Sequence, residues 1–254
     1  MEKVLEVNNL TKVFRGKDKQ NFTAVSNIDF CLYEGECLGI IGESGSGKST
    51  TVNMISRLIE PTEGNIILDG EDITHIKGKQ LRNIYKKMQM VFQSPIESFD
   101  PRCTLGDGIT ESLKNDGFSK KDANVIAEKV LRQCGLDESF IKRYPHEVSG
   151  GQCQRAAIAR ALAIGPSILI CDEATSSLDV TIQKEIIELL NDLRKNHGKK
   201  LSILFICHDL ALVQDFCDRV IVMHEGVIVE QGSPDEIVKC PKNDYTKKLI
   251  ESVL

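Results

Sequence analysis

The chain has 254 residues, 41% hydrophobic and 27% charged, an ordinary globular balance with enough apolar material for one large domain or a core with a subdomain. Its formal net charge of -5 argues against a generic nucleic-acid binder. No apolar run approaches the ~18–20 residues that cross a bilayer, and the start, which mixes Glu2, Lys3 and Glu6 with apolar residues, does not read as a signal peptide. The expectation is a cytosolic chain that reaches any membrane through partners.

Residues 4–7 and 24–32 alternate apolar and polar side chains and predict strands, and 64–70 encloses a third short apolar run. Residues 36–41 form an apolar strand that ends at a glycine-rich loop. A helix is expected from Lys48 to about Ile59, stopped by Pro61. A short strand at 88–92 ends in Gln93. From about Ser94 to Gly165 the pattern is helical. Ser119-Lys-Lys-Asp122 predicts a capping box, with Asp in place of Glu or Gln, opening a helix through Leu131. Residues 168–171 and 203–207 predict two more strands. Between them Ile182, Ile186, Leu189 and Leu193 share the face of a helix ending near Gly198. Residues 219–223 and 227–230 read as a hairpin around Glu225-Gly226, and Ser233-Pro234-Asp235-Glu236 carries the N-cap serine and N1 proline of another helix. Strands alternating with helices after residue 36 predict a largely parallel sheet covered on both faces.

The nine cysteines, at 31, 37, 103, 134, 153, 171, 207, 217 and 240, form no C-x-x-C pair and read as reduced thiols rather than metal ligands.

Three features carry chemistry. Gly42-Glu43-Ser44-Gly45-Ser46-Gly47-Lys48-Ser49, followed by Thr50, fits G-x-x-x-x-G-K-[ST] between a strand and a helix. Such a loop turns its N–H groups inward at the positive end of a helix, with Lys48 on the β- and γ-phosphates of ATP and Ser49 on Mg²⁺. Residues 168–173 form an apolar strand ending in Asp172, placed to hold Mg²⁺, and Glu173, placed to polarise the attacking water. Gln93 and His208 each follow another strand, near the same end of the expected sheet. Glutamine there can reach both metal and water, and His208 the γ-phosphate. Finally, Val148-Ser149-Gly150-Gly151-Gln152 opens a helix with a hydroxyl and two exposed glycine N–H groups, a second anion-binding start.

This last segment resembles the L-S-G-G-Q signature of ABC ATPases, with Val148 for leucine, and the resemblance extends over nearly the whole chain. It implies an α/β fold: a P-loop NTPase (RecA-like) core with an N-terminal antiparallel β subdomain and an inserted α-helical signature subdomain. The corresponding division is 1–93 with 166–232 for the core, 94–165 for the helical subdomain and 233–254 for a C-terminal helical tail. It also implies that Phe14 stacks on adenine, with a core role as the alternative. Gln93 is similar to the Q-loop glutamine, Ser177-Leu178-Asp179 to the D-loop, and His208 to the switch histidine. In the family two such domains dock head to tail, so residues 149–152 close over the other subunit's ATP. A finer resemblance lies in Phe92-Gln-Ser-Pro-Ile-Glu-Ser-Phe-Asp-Pro-Arg102 and Asp244-Tyr-Thr-Lys-Lys-Leu249, which are similar to stretches of the oligopeptide, dipeptide and nickel importers. The chain ends without the cysteine-rich extension of some of those subunits and so resembles the shorter second ATPase. This implies a partner ATPase, related but not identical, with a homodimer as the alternative. It further implies two transmembrane permeases, an indirectly engaged extracytoplasmic binding protein, and a peripheral place on the cytoplasmic face of the membrane. The rival reading is a soluble ABC-class ATPase outside transport; its relatives carry tandem cassettes or long coiled coils, and neither pattern occurs here.

Overall fold

The computed structural model describes residues 2–16, 21–176, 178–196 and 200–252. The chain forms two compact units, Met1–Tyr85 with Lys200–Leu254, and Lys86–Lys199.

In the first unit, β1 (Lys3–Arg15) and β2 (Asn21–Tyr33) form a long antiparallel pair. Both outrun the expected strands because bulges interrupt the alternation. Asn9 and Asn27 take left-handed φ values of 49° and 50°, a region asparagine tolerates, and the register shifts between Val7 and Leu10. β3 (Cys37–Ile41) is buried throughout and leads into α1 (Lys48–Ile55). This helix ends before the expected Ile59. Arg57 takes φ 60°, and the Leu58 N–H donates to the Asn53 carbonyl, a left-handed stop well ahead of Pro61. β4 (Glu63–Leu68) pairs with β1, and β5 (Glu71–Asp72) turns back through Asp69-Gly70. α2 (Gly78–Lys87) follows.

The second unit opens with β6 (Met88–Val91) and continues through α3 (Leu105–Asn115), α4 (Lys120–Gln133), α5 (Gly150–Leu162), β7 (Ile168–Asp172) and α6 (Val180–Asn196). β6 and β7 run parallel, Val91 opposite Cys171. The helices bury Ile109 and Leu113 of α3, Ala127 and Leu131 of α4, and Cys153 and Ala157 of α5. Thr104 and Asp107 form a complete capping box on α3. The box expected at α4 is half formed. Ser119 Oγ accepts the Asp122 N–H, but the Asp122 carboxylate accepts from the Ser119 hydroxyl, its shorter side chain staying on that oxygen. On α6, Ile186, Leu189 and Leu193 are buried as expected and Ile182 is half-buried. The expected stop at Gly198 lies outside the described residues.

The chain then completes the first unit with β8 (Ser202–Ile206), α7 (Leu210–Phe216), β9 (Arg219–His224), β10 (Val227–Gly232), α8 (Pro234–Lys239) and α9 (Asp244–Glu251). β3 lies between β8 and β9, parallel to both. β10 pairs antiparallel with β9 through Glu225-Gly226, whose φ values of 45° and 79° suit a tight primed turn. Parallel strands buried on both faces explain the unbroken apolar runs of β3, β8 and β9. Among the described residues no helix is long and apolar enough to cross a membrane.

Candidate nucleotide site

The first unit carries the phosphate loop between β3 and α1. A Cβ at Gly42 (φ 148°) would lie 2.2 Å from the Met223 carbonyl oxygen, and one at Gly47 (φ 102°) 2.7 Å from that of Ala24. Only glycine meets both demands of space and dihedral angle. Within the loop the Ser46 N–H donates to the Glu43 carbonyl at 3.2 Å, and the Ser46 carbonyl accepts from Gly226 N–H at 3.0 Å. Lys48 is nearly buried. Its ammonium donates to the carbonyls of Gly42 and Glu43, each at 2.7 Å, and to Ser46 Oγ at 3.3 Å. The cation thus sits among oxygen acceptors, the chemistry that phosphate oxygens also offer. Ser49 is exposed and Thr50 half-buried in the first turn of α1.

Phe14 lies near the end of β1, 41% exposed, opposite the still more exposed Phe22 and with Lys12 Nζ 5.2 Å from its ring centre. It is not a core residue, and part of its ring is exposed to solvent beside the Lys12 ammonium. His208 is exposed immediately after β8, next to Asp209, whose carboxylate caps α7 through the N–H groups of Ala211 and Leu212.

The second unit brings Gln93, Asp172 and Glu173 to the ends of the paired strands β6 and β7. Glu173 takes φ 49°, uncommon for a residue with a long side chain. Ser176, which sequence reasoning passed over, holds that backbone. Its N–H and hydroxyl both donate to the Glu173 carbonyl, at 3.0 and 2.9 Å, while its Oγ accepts from Gln93 Nε2 at 3.1 Å. Among the described residues no group of three or more His, Cys, Asp or Glu is arranged to hold a metal ion. The Asp172 carboxylate and the Gln93 amide are oxygen donors of the kind Mg²⁺ takes beside its waters.

The signature segment forms the start of α5. Ser149 Oγ accepts the Gln152 N–H at 3.2 Å and Gln152 Oε1 accepts the Ser149 N–H at 3.0 Å, a reciprocal box. Gly150 and Gly151 occupy the first turn, where N–H groups have no acceptor within the helix. A cavity of about 450 Å³ opens beside them, lined among others by Ser149, Gly151, Gln152 and Arg155. Asp179 stands before α6, its carboxylate accepting the Ile182 N–H at 3.0 Å. Ser177 lies outside the described residues.

A glycine-rich loop that buries a lysine among oxygens, between a buried parallel strand and a helix, with an Asp-Glu pair ending a further strand, defines a P-loop NTPase of the α/β class. Residues 25–176 match the family described as "ABC transporter". The chain is 44% identical to the oligopeptide transport ATP-binding protein OppF of Haemophilus influenzae, the alignment covering 99% of this chain and 78% of that protein. It is 43% identical to OppF of Bacillus subtilis, over 99% and 83% of the two chains. Among solved structures, the ATP-binding cassette MJ0796, in a dimeric post-hydrolysis state bound to ADP and Pi, superposes with a TM-score of 0.81 at 30% identity, covering 91% of this chain and 98% of that one. The cbiO1 protein of Clostridium perfringens, part of the ABC transporter complex cbiONQ, gives 0.83 at 28% identity, covering 100% and 95%. The chain belongs to the ABC transporter family, as one of its ATP-hydrolysing ATP-binding proteins.

Proposed function

We propose that this chain is the ATPase subunit of an importer for oligopeptides, working at the cytoplasmic face of the membrane beneath two permease subunits. A separate extracytoplasmic binding protein would deliver the cargo. The near-full-length similarity to oligopeptide transport ATP-binding proteins carries this reading; uptake of nickel or another metal complex is the second form of the same activity. The dimeric state of MJ0796 supports pairing of two cassettes, here with a related but non-identical ATPase.

In this reading the amides of the 42–50 loop and Lys48 hold the phosphates of ATP, and Phe14 stacks on the base. Ser49, Asp172 and Gln93 hold Mg²⁺, which neutralises charge on the phosphates when bound. Glu173 accepts a proton from the attacking water, and His208 and Gln93 position that water and the γ-phosphate. Ser149, Gly150, Gly151 and Gln152 meet the γ-phosphate of the partner's ATP, and Asp179 lies at the same interface. ATP can bridge two subunits where ADP lacks the bridging group, so closure follows binding and reopening follows hydrolysis.

The test compares Lys48→Ala and Glu173→Gln in the assembled transporter. Lys48→Ala is expected to lose ATP binding and turnover together. Glu173→Gln is expected to bind ATP but lose turnover by on the order of 100-fold or more. Near-normal hydrolysis by the glutamine variant refutes the role given to Glu173.

A further inference from the structure

The C-terminal segment 244–249 plays no part in the chemistry above, yet the structure ties it to the phosphate loop. α9 begins at a firmly built corner. The Asn243 side chain caps it by accepting the Tyr245 N–H at 2.8 Å, and the Glu230 carboxylate accepts the N–H groups of Lys242 and Asn243 at 2.8 and 3.0 Å. Thr246, Leu249 and Ile250 are buried on the inner face of the helix. From this anchored turn the Tyr245 ring stacks on His224, with centroids 3.7 Å apart and planes 21° apart. The Tyr245 hydroxyl oxygen accepts the Glu43 N–H at 3.0 Å.

That N–H belongs to the same peptide unit as the Gly42 carbonyl, which accepts from Lys48 Nζ at 2.7 Å. A peptide unit is planar and rigid. It is therefore held from both sides, by Tyr245 at its N–H and by Lys48 at its C=O. Gly42 in turn lies against the Met223 carbonyl, one residue before the stacked His224. The end of β9, the first corner of the phosphate loop and the start of α9 form one cluster. Burial pushes the Tyr245 phenol up from its usual range, so the hydroxyl stays neutral at physiological pH.

We infer that Tyr245 is a positioning residue for nucleotide binding: through the Gly42–Glu43 peptide it sets the entry of the phosphate loop and the place of Lys48 before ATP arrives. The inference rests on the nucleotide site proposed above. Without the hydroxyl the peptide is held only at its carbonyl by Lys48, and the rest of its ordering falls to the binding step.

The experiment titrates the full chain with AMP-PNP and Mg²⁺ by calorimetry, using the unsubstituted protein, Lys48→Ala, Tyr245→Phe and Tyr245→Ala. Tyr245→Phe keeps the ring on His224 and removes only the acceptor. It is expected to bind about three- to tenfold more weakly, the range one lost hydrogen bond spans, with its melting temperature lowered by no more than about 2–4 °C. Tyr245→Ala, losing the stack as well, is expected to bind more weakly still. In the assembled transporter Tyr245→Phe should raise KM for ATP and leave kcat in place, a split that general loss of folded protein does not produce. The Glu43 amide resonance should move in Tyr245→Phe. Binding by Tyr245→Phe as tight as the unsubstituted protein, or tighter, overturns the inference while Lys48→Ala still fails to bind. Equal binding by the unsubstituted protein and Lys48→Ala overturns it together with the nucleotide site itself.

Discussion

Gly151 of the signature segment is constrained from inside its own unit as well as by the proposed phosphate contact, and the two demands can be separated. A Cβ placed at Gly151 lies 2.7 Å from Ile182 Cγ2, about an ångström inside ordinary carbon contact at roughly 3.5–4.0 Å. Ile182 stands in the first turn of α6, where a β-branched side chain has one strongly preferred rotamer, so its methyl cannot swing away freely. Overpacking of this kind costs about 1–3 kcal/mol. Replacing glycine in a helix returns up to about 1 kcal/mol, which leaves Gly151→Ala destabilised by roughly 0–3 kcal/mol. Ile182 is half-buried, so Ile182→Ala alone should cost about 1 kcal/mol, less than a fully buried isoleucine. In the double variant the clash is gone, and the two changes should couple favourably by about 1–3 kcal/mol. Urea unfolding of the four proteins measures this cycle. Additivity within about 0.5 kcal/mol refutes the packing argument. The double variant is nonetheless expected to stay poor in ATP turnover, because the 149–152 segment proposed to meet the partner's phosphate then carries a side chain at a glycine position. Recovery of turnover along with stability would show that the glycine serves only Ile182.

Asp72 gives a pH-dependent prediction. Its carboxyl is held below the usual range, first by the Thr74 hydroxyl and then by the Thr74 N–H. A lowered folded value stabilises the protein above the unfolded pKa of about 3.9 and loses that contribution as pH falls through the folded value. Asp72→Asn should therefore be less stable than the unsubstituted protein at pH 7, with the gap closing below about pH 4 in urea melts; a gap independent of pH refutes the assignment. The cysteines give another. Burial pushes the thiols of Cys134 and Cys207 up to about 12 and that of Cys153 to about 11, while Cys103 and Cys240 are exposed. Iodoacetamide at pH 8 should modify Cys103 and Cys240 first in the native protein, as read by mass spectrometry, and elemental analysis should find no stoichiometric iron or zinc. Comparable labelling of Cys134 contradicts the buried-thiol reading.

What could be read from the chain alone follows from how local each physical demand is. The phosphate loop was legible because two glycines, a lysine and a hydroxyl must stand at set spacings within one turn of backbone. β3 and β8 were legible because strands buried on both faces admit almost nothing polar. β1 and β2 were legible only in part, since the bulges at Asn9 and Asn27 reverse the side-chain alternation without ending the pairing. The end of α1 was misjudged because Pro61 is a visible stop and the left-handed turn of Arg57 is not. Phe14 lies beyond the strand expected at 4–7, so the sequence left both a stacking and a core role open. Ser176, and the contact that Tyr245 makes from within its motif, were invisible for a different reason. The Gln93–Ser176 bond closes across 83 residues and the Glu43–Tyr245 bond across 202, each with residue types common at any surface. A serine that pins a left-handed glutamate, or a tyrosine that meets one amide of a phosphate loop, is specified by where the fold brings it. The chemistry of each half of the site is therefore written in short motifs, and the adjustment of that chemistry in long-range hydrogen bonds. Substitutions such as Tyr245→Phe test the second level while leaving the phosphate loop, the Asp172-Glu173 pair and the signature segment intact.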